Sequence, residues 1–116
     1  MKSPVRILLA DNHPIVRAGI RAELEKIAEV QVVAEANDGR EAIDLTSSQQ
    51  PDLVFMDITM PGLNGLEATE RITKQFPSVK VIILSRHEDE EYYWGALRAG
   101  AAGYLLKKAA IADSLR

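Results

Sequence analysis

Short apolar runs alternate with amphipathic stretches along the whole of this 116-residue chain. The runs typical of strands cover residues 5–10, 30–36, 53–56, 80–84 and 103–106. The first, third and fourth runs are continuous, as expected for strands buried on both faces of a sheet, whereas the second alternates and suits a strand near the sheet edge. Between the strands, apolar residues at helical spacing predict helices that begin near Pro14, Asp38 and Asn64, and a fourth over residues 89–99.

The order of these elements predicts a single α/β domain over residues 1–116. Five strand–helix units in alternation indicate a parallel sheet with helices on both faces, and right-handed crossovers favour a doubly wound sheet. The fifth helix begins at Ala109 and has only about two turns before the sequence ends. We therefore expect the last helix of the domain to be cut short.

The helical spacing also predicts which side chains face the core. On the first helix, the inward stripe consists of Val16, Ile20, Leu24 and Ile27. On the fourth helix, it consists of Tyr93, Ala96 and Leu97. Trp94 lies about 100° further round that helix than Tyr93, so we expect it to be at least half exposed. Because Trp is enriched among interface anchors, Trp94 is a candidate contact residue.

Composition narrows the class of protein. Apolar residues make up 47% and charged residues 27% of the chain, as in ordinary globular proteins. The absence of cysteine excludes disulfides and thiolate metal sites. A formal net charge of −3 argues against binding of DNA phosphates by this segment, which would need a basic stripe. No apolar run approaches the roughly 18 residues of a membrane helix, and we expect a cytoplasmic protein without membrane contact.

Four of the five predicted strands end in polar residues. These are, in chain order, Asp11 with Asn12, then Asp57, Ser85 and Lys107. Parallel strands point their carboxyl ends to the same edge of the sheet, where ligands bind in open α/β folds. Acids, a hydroxyl and an amine at one edge suit phosphoryl transfer, which needs a nucleophile, a divalent cation and donors to the phosphoryl oxygens.

Each of these residues has a role in such a reaction. Asp57 suits the nucleophile, because carboxylates can form aspartyl-phosphate intermediates. Asp11, Asp57 and the backbone carbonyl of Thr59 form an oxygen-only set that suits Mg²⁺, which is the expected cofactor. Ser85 can donate a hydroxyl hydrogen bond, and Lys107 provides a positive point charge for a phosphate.

Four stretches of the chain, in order and at matching spacings, resemble the CheY-like receiver domain of two-component response regulators. They are residues 11–14, 56–65, 84–85 and 99–107. His13 with Pro14 and the run at 103–107 are most similar to the NarL/LuxR-type subfamily. The resemblance covers essentially the whole chain and implies a flavodoxin/CheY-like sheet with strand order 2-1-3-4-5.

The resemblance also implies roles for individual residues. Asp57 is then the phospho-acceptor, and Asp11 belongs to the acidic metal pocket. Ser85 is the switch hydroxyl and Lys107 is the pocket lysine. Tyr104 matches the aromatic switch position, whose ring turns inward on phosphorylation.

The same resemblance implies two tuning positions and exposes one departure from the family pattern. Thr59 and His87 lie two residues beyond the ends of the third and fourth strands, where side chains of such domains tune the loss of the phosphoryl group to water. Asn12 stands where the family usually has a second acid. Its carbonyl oxygen remains a candidate Mg²⁺ ligand without charge, so weaker metal binding and phosphorylation are expected. His13 is expected to order the first loop rather than to bind metal.

The function favoured by these features is that of a signalling module. A histidine kinase would dock beside the first helix and phosphorylate Asp57, which would change a surface formed by the fourth helix, fifth strand and fifth helix. The output would be a DNA-binding helix-turn-helix domain beyond residue 116 that controls transcription, with homodimerisation as an option. Such a domain is not an enzyme in the ordinary sense, because it catalyses only its own phosphoryl transfer and dephosphorylation.

Three alternatives remain open on the sequence alone. A phosphatase with an aspartyl-phosphate intermediate needs a second acid two residues after the nucleophile, where this chain has Thr59. A flavodoxin-like cofactor carrier needs a first loop that can cradle a phosphate, whereas residues 11–14 contain no glycine. The third alternative is a receiver that works without phosphorylation, because Asn12 leaves the pocket with one acid fewer than usual.

Overall fold

The computed structural model describes residues 3–85 and 90–106, in which five strands alternate with four helices. The strands are β1 (Val5–Ala10), β2 (Val30–Ala36), β3 (Leu53–Asp57), β4 (Lys80–Ser85) and β5 (Gly103–Leu106). The helices are α1 (Pro14–Glu25), α2 (Gly39–Gln49), α3 (Gly65–Gln75) and α4 (Glu90–Arg98). None of these four helices has the length and apolar content that crossing a membrane requires. The predicted fifth helix, Lys107 and His87 lie outside the described residues.

The five strands form one parallel sheet in the order β2-β1-β3-β4-β5. This confirms the predicted α/β fold, the strand order and the edge position of β2. The central strand is β3, where Met56 lies opposite Ala10 of β1 and Asp57 lies opposite Leu84 of β4. The carboxyl ends of β1, β3 and β4 are therefore neighbours, and the polar residues at these ends lie side by side.

The main hydrophobic core lies between one face of the sheet and helices α2, α3 and α4. Alternate residues of the inner strands form the sheet side of this core, including Leu8, Val54, Met56, Val81 and Ile83. The helices contribute mostly small side chains, including Ala42, Ala68, Ile72 and Ala96. Burial of each side chain of Val, Leu or Ile size stabilises the fold by about 1.5–3 kcal/mol. This core holds the strand ends in fixed relative positions.

Two helices begin with the predicted side-chain caps. The Asp38 carboxylate accepts a hydrogen bond from the Glu41 amide at 2.8 Å, and the Asn64 side chain accepts one from the Glu67 amide at 2.9 Å. A cap of this kind contributes about 1 kcal/mol. After the end of α4, Gly100 has a φ of 95°, which is the left-handed conformation predicted for it.

The predicted inner face of α1 is only partly correct. The helix ends at Glu25, so Ile27 lies in the following turn and is 46% exposed. No residue of α1 is fully buried, because the helix packs on β1 and β2 at one side of the sheet. Its apolar stripe lines one wall of a groove of about 360 Å³, whose lining includes Ile20, Leu24, Phe55, Leu84 and Leu105.

The predicted inner face of α4 is correct for Ala96, which is buried, and wrong for its other two residues. Tyr93 and Leu97, which were expected to face the core, are each 44% exposed. Tyr92 packs against the core instead, on the same side as the buried Ala96. Gly95 faces α3, where an added Cβ would be 3.2 Å from Leu66 Cδ1.

A row of three aromatic rings runs from the exposed side of α4 to β5. Trp94 is 52% exposed, which confirms the prediction for this residue. Its ring lies edge-on to Tyr93 with the centroids 5.7 Å apart, and Tyr93 lies edge-on to Tyr104 of β5 at 5.8 Å. Edge-to-face pairs at such distances are favourable. The row therefore links β5 to the outer surface of α4.

Candidate functional site

Asp11 and Asp57 lie side by side at the carboxyl edge of the sheet. Asp11 follows β1, Asp57 ends β3, and these two strands are paired in parallel. The two residues are only 1% and 2% exposed. Buried carboxylates that are close together repel each other unless positive charge or hydrogen-bond donors offset them. The topology of the sheet therefore creates a site that favours cations and hydrogen-bond donors.

His13 lies between the two carboxylates. Its backbone N–H donates to Asp11 Oδ1 at 2.8 Å, and its Nδ1 is 3.1 Å from the same oxygen. The same Nδ1 is 3.6 Å from Asp57 Oδ2. The backbone contact agrees with the expectation that His13 orders the first loop. The position of the imidazole within reach of both acids is a feature that the sequence did not indicate.

Asn12 and Thr59 form the other side of the site. The Asn12 side-chain amide lies 3.3 Å from Asp57 Oδ2 and 3.1 Å from the Thr59 carbonyl oxygen. Because both neighbours are acceptors, the amide nitrogen rather than the oxygen is assigned to this side. The Thr59 N–H lies 3.3 Å from Asp57 Oδ1. Asn12 and the Thr59 carbonyl therefore lie beside Asp57, whereas their part in binding a metal ion stays a prediction.

The predicted switch residues occupy the neighbouring strands. Ser85 ends β4, next to the strand of Asp57, and is completely buried. Tyr104 lies in β5 opposite Ile83 and packs partly against the core. The structure thus places Ser85 at the same sheet edge as the acids and Tyr104 one strand further out, whereas the roles of Lys107 and His87 stay predictions.

Arginines of α1 hold the loop that carries Asp11. Arg17 donates from Nη1 to the backbone carbonyl of Asp11 at 2.7 Å and pairs through Nε with Glu35 of β2 at 2.8 Å. Arg21 donates to both Glu25 and Glu35. These hydrogen bonds raise the pKa of the Arg21 guanidinium above its usual value. The ion pairs of both arginines with Glu35 tie α1 to β2.

The donor set of the site fits Mg²⁺. The carboxylates of Asp11 and Asp57 and the carbonyl of Thr59 are oxygen donors of the kind that Mg²⁺ takes. Ligand atoms of Asp11, His13 and Asp57 all lie within 4.8 Å of one another, which is close enough for one ion. His13 was missed as a member of this group. The available signal was its position two residues after a strand-ending Asp, where an Asx turn folds the chain back.

Gly65 fixes the loop that follows Asp57. It is the first residue of α3, and its N–H donates to the Ile58 carbonyl at 2.9 Å. A Cβ at this position would lie 1.9 Å from the backbone oxygen of Asp57. The helix therefore begins directly against the end of β3, an approach that requires glycine.

We expect Gly65→Ala to destabilise the domain by about 2 kcal/mol or more, because the loop must move to admit the methyl group. Gly19→Ala is the matched control, since a Cβ at Gly19 in α1 would meet no atom within 4 Å. That change should stabilise the fold by about 0.5–1 kcal/mol through helix propensity. Urea unfolding followed by circular dichroism measures both changes. A Gly65→Ala variant as stable as the wild type would contradict the close approach.

Comparison with known sequences identifies the family. The response regulator receiver domain family matches residues 7–115 of the chain. The transcriptional regulatory protein DegU of Brevibacillus brevis is 41% identical over 107 residues, which are 92% of this chain and 45% of that protein. The chain spans about half the length of the curated relatives that it matches.

Solved structures show the same fold. A two-component response regulator of the LuxR family from Aurantimonas sp. SI85-9A1 has a TM-score of 0.86 at 42% identity, covering 90% of this chain and 75% of that chain. The isolated receiver domain of RcsB from Salmonella enterica serovar Typhimurium, in the presence of the phosphomimetic BeF3⁻, has a TM-score of 0.86 at 30% identity, covering 97% and 84%. The chain therefore belongs to the response regulator receiver domain family, as the receiver domain of a two-component response regulator of the NarL/LuxR type.

Proposed function

We propose that this domain accepts a phosphoryl group on Asp57 from a histidine kinase and thereby controls an output domain. The observation that carries the proposal is the setting of Asp57, which ends the central strand, is 2% exposed and lies beside Asp11. A carboxylate fixed in this way is already positioned for attack on phosphorus. The RcsB receiver domain was solved with a phosphomimetic group, which supports the same chemistry for this relative.

In the proposed reaction, a carboxylate oxygen of Asp57 forms a bond to the phosphorus of a phosphohistidine. The P–N bond breaks, and its electron pair returns to the imidazole nitrogen of the kinase, which takes up a proton. Negative charge in the transition state is spread over the three equatorial oxygens. The N–H groups of Asn12 and Thr59 are donors at the pocket that would stabilise this charge.

Mg²⁺ would be held by Asp11, Asp57 and the Thr59 carbonyl, with Asn12 as a fourth candidate. When bound, the ion supplies positive charge that offsets the phosphoryl oxygens and the two carboxylates. Thr59 is exposed at the mouth of the site, where its side chain would affect the access of water to the phosphoryl group. We retain Lys107 as the pocket cation and His87 as a second tuning residue.

The signal would leave the site through Ser85 and Tyr104. Ser85 is buried at the end of β4, beside the strand of Asp57, and its hydroxyl would donate to a phosphoryl oxygen. Tyr104 contacts Tyr93 of α4, and a change in the orientation of its ring would alter that contact. We infer that phosphorylation changes the α4–β5 surface in this way.

We further infer that the domain controls an output domain that binds DNA. We also infer that it does not turn over a separate substrate. The curated relatives are about twice as long as this chain, and DegU is named a transcriptional regulatory protein. The only reactions that the domain would catalyse are the transfer of a phosphoryl group to its own Asp57 and the later loss of that group. The comparisons do not favour the alternative of a receiver that acts without phosphorylation.

The test is an intact-mass measurement after incubation with acetyl phosphate and Mg²⁺. We expect one adduct of about 80 Da, the mass of a phosphoryl group on a covalent aspartyl intermediate. Hydroxylamine should remove it, because it cleaves acyl phosphates. An unchanged mass with acetyl phosphate, and also with a panel of histidine kinases, would contradict the proposal.

Trp94 is expected to contribute to a phosphorylation-dependent contact. It is half exposed and lies among other exposed apolar side chains of α4 and β5, namely Tyr93, Leu97 and Leu105. Trp94→Ala should leave phosphorylation of Asp57 intact and weaken self-association of the phosphorylated protein, or its docking to the output domain, by about tenfold or more. Sedimentation velocity of the phosphorylated wild type and variant measures the self-association.

Ile15→Ala is the matched control for this prediction. Ile15 is 89% exposed but lies at the start of α1, away from the α4–β5 surface. Its truncation removes exposed apolar area and should leave self-association unchanged. If Trp94→Ala associates like the wild type and output in the full-length protein is also unchanged, Trp94 has no role in contacts.

A further inference from the structure

We propose that His13 is a metal ligand in this domain, so that the pocket prefers a divalent transition-metal ion to Mg²⁺. The proposal rests on the metal pocket proposed above and assigns it a mixed set of oxygen and nitrogen donors. The donors are the carboxylates of Asp11 and Asp57 and the Nδ1 atom of His13. These three residues form a group whose ligand atoms lie within 4.8 Å of one another.

The distances between these atoms suit a shared ion. Neighbouring ligands of a six-coordinate ion with bonds of about 2.1 Å are about 3 Å apart. In a tetrahedral site with bonds of similar length they are about 3.4 Å apart. His13 Nδ1 lies 3.1 Å from Asp11 Oδ1 and 3.6 Å from Asp57 Oδ2. Both distances are close to these ligand separations, so His13 Nδ1 can share an ion with either carboxylate after small shifts of the side chains.

The backbone holds His13 and Asp11 as one unit. The His13 N–H donates to Asp11 Oδ1 at 2.8 Å, which fixes the carboxylate relative to the imidazole before any ion arrives. His13 has extended backbone angles, with φ −104° and ψ 98°, and Pro14 begins α1 directly after it. Both ligands are thus positioned by a rigid connection between β1 and α1.

Asn12 strengthens the case for a change in metal preference. Its amide nitrogen faces Asp57 Oδ2 and the Thr59 carbonyl, so in this arrangement Asn12 presents hydrogen-bond donors rather than a ligand oxygen. The pocket therefore lacks one negative charge on the Asn12 side and gains an imidazole on the His13 side. Mg²⁺ depends on charged oxygen ligands, whereas an imidazole ligand favours divalent transition-metal ions, whose affinity rises from Mn²⁺ through Fe²⁺ and Ni²⁺ to Cu²⁺.

The same contacts would be formed by an imidazolium that donates Nδ1–H to the two carboxylates. That arrangement leaves the carboxylates to bind metal through oxygen alone, and it predicts no bond between the ion and nitrogen. The two possibilities differ in a spectroscopic signature. A nitrogen ligand transfers unpaired spin from Mn²⁺ to ¹⁴N, and electron spin echo modulation detects this coupling directly.

The experiment uses the 116-residue chain with Mn²⁺ and Mg²⁺ as probes. Calorimetry should show tighter binding of Mn²⁺ than of Mg²⁺, and the Mn²⁺ complex should show ¹⁴N coupling. In His13→Gln the coupling should disappear, and Mn²⁺ affinity should fall by about tenfold while Mg²⁺ affinity changes by less than about twofold. Gln keeps a hydrogen-bonding side chain, so a role of His13 only in loop structure would leave both affinities similar to those of the wild type.

Asp11→Asn is the matched variant, because it removes a charged oxygen ligand and should weaken the binding of both Mn²⁺ and Mg²⁺. Two results would overturn the assignment of His13 as a metal ligand. One is the absence of ¹⁴N coupling in the wild type, and the other is an equal fall in Mn²⁺ and Mg²⁺ affinity in His13→Gln. Either result leaves phosphorylation of Asp57 with Mg²⁺ unaffected. If neither ion binds the wild type, the metal pocket itself is overturned, and with it the metal part of the proposed function.

Discussion

Asp57→Asn is expected to abolish phosphorylation, so that the variant keeps its unmodified mass after incubation with acetyl phosphate and Mg²⁺. The amide has nearly the shape of the carboxylate but lacks the anionic oxygen that attacks phosphorus. Asp57 is the acid that ends the central strand and is 2% exposed beside Asp11. Intact-mass measurement gives the result directly, because one phosphoryl group adds about 80 Da.

The matched control is Asp52→Asn. Asp52 immediately precedes β3, is exposed, and accepts a hydrogen bond from the Arg6 backbone N–H at 2.8 Å. It lies at the opposite edge of the sheet from Asp57, so the control should be phosphorylated like the wild type. An Asp57→Asn variant that still gains one phosphoryl group would assign the acceptor to another residue.

The second large effect is expected for Asn12→Asp, which should tighten Mg²⁺ binding by about tenfold or more, because the affinity of such sites depends on the charge of their ligands. The Asn12 amide lies 3.3 Å from Asp57 Oδ2 and 3.1 Å from the Thr59 carbonyl. A carboxylate in its place would bring a charged oxygen to the two groups expected to hold the ion. Isothermal calorimetry measures the affinities of wild type and variant.

The same change should make stability depend more strongly on the ion. Without Mg²⁺, a third carboxylate near Asp11 and Asp57 adds repulsion at a buried site, so Asn12→Asp should melt at a lower temperature than the wild type. With saturating Mg²⁺, its melting temperature should rise by more than that of the wild type, since tighter binding to the folded state stabilises it further.

Asn37→Asp is the control for charge alone. Asn37 is exposed at the same edge of the sheet and accepts a hydrogen bond from Arg17. The Asn37→Asp substitution adds the same charge outside the pocket and should leave Mg²⁺ affinity nearly unchanged. Equal or weaker Mg²⁺ binding by Asn12→Asp would place residue 12 outside the coordination sphere.

The parts of the site that depend only on strand order and strand ends could be predicted from the sequence. Asp11, Asp57 and Ser85 each close an apolar run, and parallel strands must bring such ends to one edge. The caps Asp38 and Asn64 were predictable for a similar reason, because a side-chain cap acts within four residues. Local chemistry and sheet topology are sufficient for these features.

The predictions that failed concern features that depend on contacts between distant elements. Three consecutive aromatic residues in α4 leave its rotation open, and it is the packing of α4 in the folded domain that turns Tyr92 rather than Tyr93 to the core. Ile27 continues the apolar spacing of α1, but the chain has already turned towards β2 at that point. The contact of His13 with Asp57 joins two loops, so the position of His13 after Asp11 could indicate the fold of its own loop but not this contact.

The row of rings formed by Trp94, Tyr93 and Tyr104 gives the domain a built-in optical probe. Trp94 is the only tryptophan of the chain, so all indole emission comes from one position on α4. Its edge-on neighbour Tyr93 also contacts Tyr104, which links the indole environment to the switch ring through a single side chain. Emission intensity and wavelength therefore follow movement of β5 relative to α4 in the unlabelled protein, at the speed of a stopped-flow recording.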